Sequence, residues 1–545
     1  MNKIFEQLLA KRNLTSDFLH PKYENSADPF ILSEMEKAVS RIKQAIKNKE
    51  KILIYGDYDV DGITASTVME ETLKLAGASQ KNLEIMLPDR FADGYGMSPK
   101  LIKRAKKEGV TLVITVDCGS RNHEIVDELN TLNIDTIITD HHETSDSIPE
   151  AIAVINPHRK DSPTEALKNL AGVGVVFKLA QALVKDGTIK AGQEKWLLDL
   201  VLLGTVCDSM LLTNENRILG FYGIKVLEKT RRPGLKELIS KAGVKRINSE
   251  SIGFQIGPRL NSAGRLETAD ISLNLLRTNS PIGAVPLTEK LEELNKRRRS
   301  EQLSATREID ERGIKDGPVI IETGKWHEGI LGIVAGRLLE KYHKPAFVLT
   351  ETENGIYKGS GRSFGDFNLA EALSEVEDVI IGGGGHSGAA GVKVEQKNLY
   401  AFRERINDYY RSLNLKDQEK YFKNKADLDI SDFSELNLDL LKELSYLEPY
   451  GPGNEEPIFR LKDVEITGVT RMGAEQNHLR VDLKDKKGKP LKLISFYAPE
   501  SWLNLDPDYD RIEPLVKFIE NDFNGVKSLE ARIIDLGKVD VPESF

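Results

Sequence analysis

Four short, almost wholly apolar segments recur between residues 51 and 139, and they limit the fold more than any other feature of the chain. KILIY (51–55), LEIML (83–87), TLVITV (111–116) and TIIT (136–139) are β-rich. Each is followed by Gly, Pro or Asp and then by a helix-length stretch. Strands that are apolar throughout and alternate with helices imply a parallel sheet covered on both faces. The expected fold class is therefore α/β and multidomain.

The rest of the chain reads as follows. Residues 1–50 form a polar, partly helical N-terminal segment, and the parallel-sheet domain covers 51–283, with a helical region over about 165–250. Leu287, Leu291 and Leu294 stand at helical spacing, and no proline interrupts 287–316, so 284–316 is expected to be one long connecting helix containing the run KRRR (296–299). A second α/β domain follows over 317–415, in which PVIIE and PAFVLT are strands and WHEGILGIVAGRLLEKY is a helix. Residues 416–455 are charged, end in EPYGPGNEEP and read as a linker. From 456 to 540 the period changes to strand alternation, with turn signals at Lys487-Gly488 and Asn524-Gly525. Several short strands in so few residues suggest a small closed β-barrel of the oligonucleotide-binding (OB) type. Its aromatics Phe496, Tyr497, Trp502 and Phe523 are candidates to stack on bases, with at least half of them expected to fill the core.

The two cysteines, Cys118 and Cys207, can build neither a disulfide framework nor a zinc site of their own. No secretory signal or apolar run of membrane-spanning length is apparent, so the expected location is the cytoplasm, with no membrane association. A net charge of −9 argues against a nucleic-acid protein only superficially. A metal centre needs clustered carboxylates, and bound cations reverse the local field.

Such a cluster is present. GDYDVDG (56–62) carries Asp57, Asp59 and Asp61; VDCGS (116–120) carries Asp117; TDHHE (139–143) carries Asp140, His141 and His142; LLGTVCDSM (202–210) carries Asp208. In an open parallel sheet, ligands bind beyond the carboxyl ends of the strands. These groups are therefore expected to converge on one crevice, each segment contributing from the end of a strand. Oxygen-rich donors with one or two imidazoles suit two divalent ions, Mn2+ or Mg2+, better than a structural zinc. A pair of ions would acidify a water and hold phosphoryl oxygens as charge builds in the transition state. Singly, an Asp after a strand is most often a turn residue or helix N-cap. An EF-hand loop is excluded because position 68, where the loop needs Glu, is Val.

With Asp-His-His at 140–142 and Asp59-x-Asp61-Gly62 in the first motif, the chain resembles the DHH/DHHA1 phosphoesterase superfamily and, within it, the RecJ family of bacterial exonucleases. Many superfamily members carry His where this chain has Tyr55, and the added Asp57 is RecJ-like. The resemblance makes Asp59 and Asp117 ligands of a first ion, and Asp61, Asp117, His141 and Asp208 ligands of a second, with Asp117 bridging. It gives Asp57 the task of orienting that shell, Asp140 that of fixing a neighbouring group, and His142 contact with the scissile phosphate. In FQIGPRLNSAGRL (254–266) it points to Arg259, Asn261 and Arg265. Their bland alternative is a glycine-rich turn with a surface Arg.

GSGRS (359–363) and IGGGGHSGAAG (381–391) resemble the DHHA1 domain, whose glycine run would form an anion-binding nest. By the same resemblance Ser360, Arg362 and Arg90, the last from LPDRFADGYG (87–96), bind a terminal 5′-phosphate, and His386 touches the nucleotide near the cut. The implied function is a processive, metal-dependent 5′→3′ single-stranded-DNA exonuclease that releases 5′-mononucleotides in recombination and repair. The implied partners are single-stranded DNA, a single-strand-binding protein and a RecQ-type helicase, and the chain is expected to be a monomer. The alternatives are an oligoribonuclease or cyclic dinucleotide phosphodiesterase of the same superfamily, from which the C-terminal barrel would distinguish it, and a non-catalytic binding module, which would have lost metal ligands.

Overall fold

The computed structural model describes residues 1–162, 165–507 and 509–538. Two compact units form: Ala27–Met210 with Asn214–Phe422, and Met1–Ser26 with Leu211–Thr213 and Lys423–Phe545.

The first unit opens on a parallel five-stranded sheet. Its strands are β1 (Ile52–Tyr55), β2 (Leu83–Met86), β3 (Leu112–Val116), β4 (Asp135–Thr139) and β5 (Ala153–Ile155), in the order β2-β1-β3-β4-β5. Three of the four apolar runs make central strands, and β2 is a half-buried edge strand: Leu53, Ile54, Val113, Ile114, Ile137 and Ile138 are fully buried. Each such side chain contributes roughly 1.5–3 kcal/mol. Register then decides where the chain leaves the sheet. Tyr55 lies opposite Met86 and Thr115, and Val116 lies opposite Thr139. The segments beginning at Gly56, Asp117 and Asp140 therefore emerge side by side at one edge.

The fourth acidic segment differs from expectation. Leu198–Cys207 is a helix, and Asp208 sits at its C-cap rather than at a strand end. Its apolar run is buried on all sides, so periodicity alone does not separate helix from strand there. A helix over Val60–Leu75 begins at Asp59, whose Oδ1 accepts from the Gly62 N–H at 3.1 Å. The segment 254–266, for which a glycine-rich turn was the bland alternative, is helical: a π-turn over Ile252–Ile256 runs into a helix over Gly257–Leu266.

The connecting helix spans Pro281–Arg312, about 48 Å at 1.5 Å per residue. It starts three residues before the expected position because the Ser280 side chain caps it and Pro281 suits the first turn. Beyond it lies a mixed sheet of β6 (Ile320–Gly324), β7 (Ala346–Glu351), β8 (Ile356–Arg362), β9 (Gly382–Gly385) and β10 (Ala389–Glu395), in the order β6-β7-β8-β10-β9. The glycine run is thus the extended edge strand β9 and not a nest. Four residues without side chains pair with β10 and leave the edge exposed.

The second unit contains a curled seven-stranded sheet, the C-terminal OB domain. Its strands are β11 (Leu428–Ile430), β12 (Phe459–Leu461), β13 (Glu465–Met472), β14 (His478–Lys484), β15 (Pro490–Ser495), β16 (Leu515–Phe523) and β17 (Val526–Asp535). They lie in the order β11-β12-β16-β17-β15-β14-β13. Asn524-Gly525 turns the β16–β17 hairpin, both residues having positive φ. Phe496 and Tyr497 are exposed, and Trp502 packs against the core; the Phe523 side chain lies outside the described residues. Ile4, Phe5 and Leu8 of the helix Lys3–Lys11 enter the same core, and Arg12 pairs with Asp427 at 2.6 Å. No helix among the described residues is long and apolar enough to cross a membrane.

Candidate metal centre

At the sheet edge the structure gathers three overlapping groups of potential ligands: Asp57, Asp59 and Asp117; Asp61, His141 and Asp208; and Asp117, His141 and His142. Within each group the donor atoms lie within 4.8 Å of one another. Asp117 and His141 are each shared between two groups, and His141 Nε2 is 3.1 Å from Asp117 Oδ1, 3.6 Å from Asp208 Oδ2 and 3.8 Å from Asp61 Oδ2. Asp57, Asp61, Asp117 and Asp140 are all buried.

The backbone explains how these groups are held. Asp117 takes the left-handed conformation at φ 61, which is costly for a residue with a Cβ, and its N–H donates to the Thr139 carbonyl at 2.9 Å. Asp61 accepts from the N–H groups of Gly172 (2.6 Å) and Val173 (2.9 Å), the first residues of the helix Gly172–Lys185. A helix N-terminus favours negative charge, which offsets part of the cost of burying this carboxylate. A Cβ on Gly62 would lie 2.5 Å from the Asp57 carbonyl oxygen, so the tight first loop requires glycine there.

The electrostatics match an array built for cations. Burial, and then the charge of Asp59, push the Asp61 carboxyl up to about 7. Burial, and then Asp61, push Asp208 up to about 8. Asp57 and Asp117 are raised for the same reasons, burial first and neighbouring carboxylates second. The Oδ1 atoms of Asp57 and Asp117 are buried without a hydrogen-bond partner. Buried acceptors are nearly always satisfied, so these orphans fit a site completed by ions. Burial and the charge of His142 hold the His141 ring down at about 3, the neutral form a metal needs.

Asp140 faces away from this array. Its Oδ1 accepts from the His141 N–H (2.8 Å), the His142 N–H (3.1 Å) and His142 Nδ1 (2.8 Å), and its Oδ2 accepts from the Ser120 N–H (3.0 Å). It brackets the two histidines. Burial opposes protonation of His142, but the bond to Asp140 prevails and raises the ring to about 9. The bonded Nδ1 leaves Nε2 free.

Sequence reasoning passed over Tyr95, whose hydroxyl lies 2.8 Å from His142 Nδ1. Its only signal was its place between Gly94 and Gly96, both at positive φ. The same reasoning missed Gly172 and Val173, which carry no functional side chain. Tyr55 is fully buried and donates to the Gly96 carbonyl at 3.1 Å, so it braces the Tyr95 loop.

Asn261 Oδ1 accepts from the Val60 N–H at 3.2 Å and so steadies the first acidic loop. Arg259 turns toward Glu292 of the connecting helix at 2.7 Å. Among the described residues Arg265 bonds the Gly329 carbonyl alone, at 3.3 Å; burial and then the charges of Arg90, Arg362 and Arg298 push it down to about 9. Arg362 Nη1 donates to Ser360 Oγ (3.0 Å) and the Gly361 carbonyl (2.7 Å), and Arg90 lies over the Tyr58 ring at 4.8 Å. Burial, and then the charges of Arg362 and His142, lower the pKa of His386.

Comparison with known proteins agrees with this geometry. The DHH family N-terminal domain profile matches residues 51–205, the DHHA1 domain profile 316–412 and the RecJ OB domain profile 427–535. The chain is 34% identical over 525 residues to the single-stranded-DNA-specific exonuclease RecJ of Bacillus subtilis (strain 168), covering 95% of this chain and 65% of that protein. It is 31% identical over 532 residues to the protein of that name from Escherichia coli (strain K12), covering 92% and 90%. Among solved structures, RecJ in complex with Mn2+ from Thermus thermophilus matches with a TM-score of 0.84 at 27% identity, covering 99% of this chain and 76% of that one.

Proposed function

Because the chain belongs to the RecJ family of DHH/DHHA1 exonucleases, we propose that it hydrolyses single-stranded DNA from the 5′ end, processively, and releases 5′-mononucleotides. The observation that carries this reading is that Asp117 groups with Asp57 and Asp59 and also lies 3.1 Å from His141, which groups with Asp61 and Asp208, as a carboxylate bridging two ions would. Asp57, Asp59 and Asp117 would hold one ion, and Asp61, Asp117, His141 and Asp208 the other. Mn2+ or Mg2+ fits the oxygen-rich set. Bound there, the pair supplies an acidified water and neutralises charge on the phosphoryl oxygens.

The chain's own groups then have separable tasks. Asp140 and Tyr95 fix the His142 ring, so that its free Nε2 faces the scissile phosphate. Asn261 steadies the Asp59–Asp61 loop through Val60, and Arg259 braces the helix Gly257–Leu266 against the connecting helix. Ser360, Arg362 and Arg90, with Arg265 behind them, bind the terminal 5′-phosphate; guanidinium groups match phosphate oxygens in pairs. His386 meets the nucleotide beside the cut. The exposed Phe496 and Tyr497 of the OB domain are placed to stack on bases. In a cell the protein would act as a cytoplasmic monomer in recombination and repair, alongside a single-strand-binding protein and a RecQ-type helicase.

A strand labelled at either end tests the reading. With Mn2+, a 5′ label is released first as a mononucleotide, and circular single-stranded DNA resists. Earlier release of a 3′ label, equal cutting of circles, or faster turnover of a cyclic dinucleotide than of a long strand rejects it.

A further inference from the structure

A second concave site lies at the far end of the helix Val60–Leu75. That helix is capped by Asp59 at its start, and Glu71, Lys74 and Leu75 near its other end line a cavity of about 780 Å³. At 1.5 Å per residue these positions stand about 18–24 Å along the helix from Asp59, so the cavity is separate from the metal centre. Its volume is that of a small-molecule pocket. The other walls come from the segment 190–197, the turn 231–233 and the end of the helix Asp270–Arg277. The turn is seated tightly, since a Cβ on Gly234 would lie 1.9 Å from the Leu275 carbonyl oxygen.

The cations of this cavity fall into two sets. Arg232 is matched, donating to Glu71 (2.9 Å) and to Asp199 (3.1 Å). Lys74 (3.2 Å) and Arg277 (2.5 Å) share Glu70, and Asp270 adds to the field at Arg277. Lys190 and Arg231 differ: both are exposed, and among the described residues neither has a carboxylate within ion-pair distance. Arg231 lies over the Trp196 ring, 3.5 Å from its centroid, and Trp196 remains 40% exposed. A guanidinium over a ring keeps the donors along its edge, so the pair offers a flat stacking surface beside free N–H groups. The side-chain amides of Gln193 and Asn279, in the same wall, have no hydrogen-bond partner among the described residues. One phosphate monoester carries about −1.5 to −2, which matches two free cations. A planar base suits the exposed indole, and amides suit base edges. A long strand would need a groove that tracks several phosphates, whereas this cavity has the size of one nucleotide.

We propose that this cavity binds a free nucleotide, with its base stacked on Trp196 and its phosphate held by Arg231 and Lys190. A 5′-mononucleotide, the product of the reaction proposed above, has this chemistry. The binding itself does not rest on the exonuclease reading, because none of these residues belongs to the metal centre.

The test is titration of the metal-free, full-length protein with thymidine 5′-monophosphate, followed by tryptophan fluorescence and calorimetry, so that no hydrolysis intervenes. Saturable quenching is expected, and Trp196→Phe removes it. Thymidine and inorganic phosphate, as separate probes, each bind at least about ten-fold more weakly than the nucleotide, because each makes only one of the two kinds of contact. Arg231→Gln and Lys190→Gln each raise the Kd about ten-fold, the loss of one charge-assisted hydrogen bond, while Arg362→Gln leaves it unchanged. No saturable binding at millimolar nucleotide overturns the proposal. So does quenching that persists in Trp196→Phe or that Arg362→Gln abolishes, since either puts the nucleotide elsewhere. Tighter binding of a 5′-hydroxyl oligothymidylate than of the mononucleotide gives the site to a DNA strand and overturns the free-nucleotide assignment. Tighter binding of an oligoglutamate peptide gives it to an acidic protein segment and overturns it equally. Failure of the exonuclease reading shows in the end-labelled strand assay and leaves this titration untouched.

Discussion

Gly172→Ala isolates the packing that aims Asp117, the carboxylate proposed to bridge the ions. A methyl group on Gly172 would lie 2.5 Å from both Cβ and Oδ1 of Asp117, and 2.7 Å from its Cγ. Ordinary carbon contacts are about 3.5–4.0 Å, so about 1 Å of separation must be found. The glycine cannot easily retreat. Its N–H is bonded to Asp61 at 2.6 Å, the next N–H holds the same carboxylate, and Val175, Val176 and Phe177 behind it are fully buried. Asp117 therefore moves. Metal–ligand distances tolerate about 0.2 Å, and a misplacement of about 1 Å at a reacting centre costs on the order of 10²-fold. We expect kcat to fall about 100-fold, weaker Mn2+ binding by calorimetry, and a stability loss of about 1–3 kcal/mol from overpacking. Gly468→Ala, where a methyl first meets Asp482 at 3.5 Å, serves as the control. Turnover and Mn2+ stoichiometry equal to wild type in a folded Gly172→Ala protein would refute the placement of Asp117 against this helix.

Three further expectations follow from the same geometry. Asp61 and Asp208 carry folded-state values of about 7 and about 8 against an ordinary 3.8. The metal-free fold thus binds protons that the unfolded chain releases, and its stability falls as pH rises from about 4 to 8. Scanning calorimetry should show a lower melting temperature at pH 9 than at pH 6, a difference that Mn2+ reduces while releasing protons; a pH-independent metal-free melt contradicts this. Tyr95→Phe removes the hydroxyl 2.8 Å from His142 Nδ1, and kcat should drop up to about ten-fold with Mn2+ affinity unchanged. An altered metal affinity would instead place Tyr95 with the ligands. Arg362→Gln should erase the preference for a 5′-phosphate over a 5′-hydroxyl end, measured as a ratio of kcat/KM; a preserved ratio moves the terminal-phosphate site elsewhere.

Much of this protein was legible before any coordinates. Short β-branched runs such as LVITV, bounded by turn residues, read as central strands, and a parallel sheet with common register brings Asp59, Asp117 and His141 to one edge. The Asn524-Gly525 turn announced its hairpin because only such residues take positive φ at low cost. Asp208 was a visible ligand candidate, but its mounting on a helix was hidden, since a segment buried all round shows neither the two-residue nor the 3.6-residue period. The glycine run was visible too, yet whether it became a nest or a strand depended on β10 offering a partner.

Other features have no local signature at all. Gly172 and Val173 act through backbone N–H groups that every residue but proline possesses, so their role exists only once their helix points at Asp61. Tyr95 matters through a distance to a histidine 47 positions away. Periodicity and turn chemistry are properties of neighbours along the chain, so the sequence by itself determined the first four strands, the β16–β17 hairpin and the types of ligand. Burial, charge balance and orientation are properties of neighbours in space, and only the tertiary structure decided those.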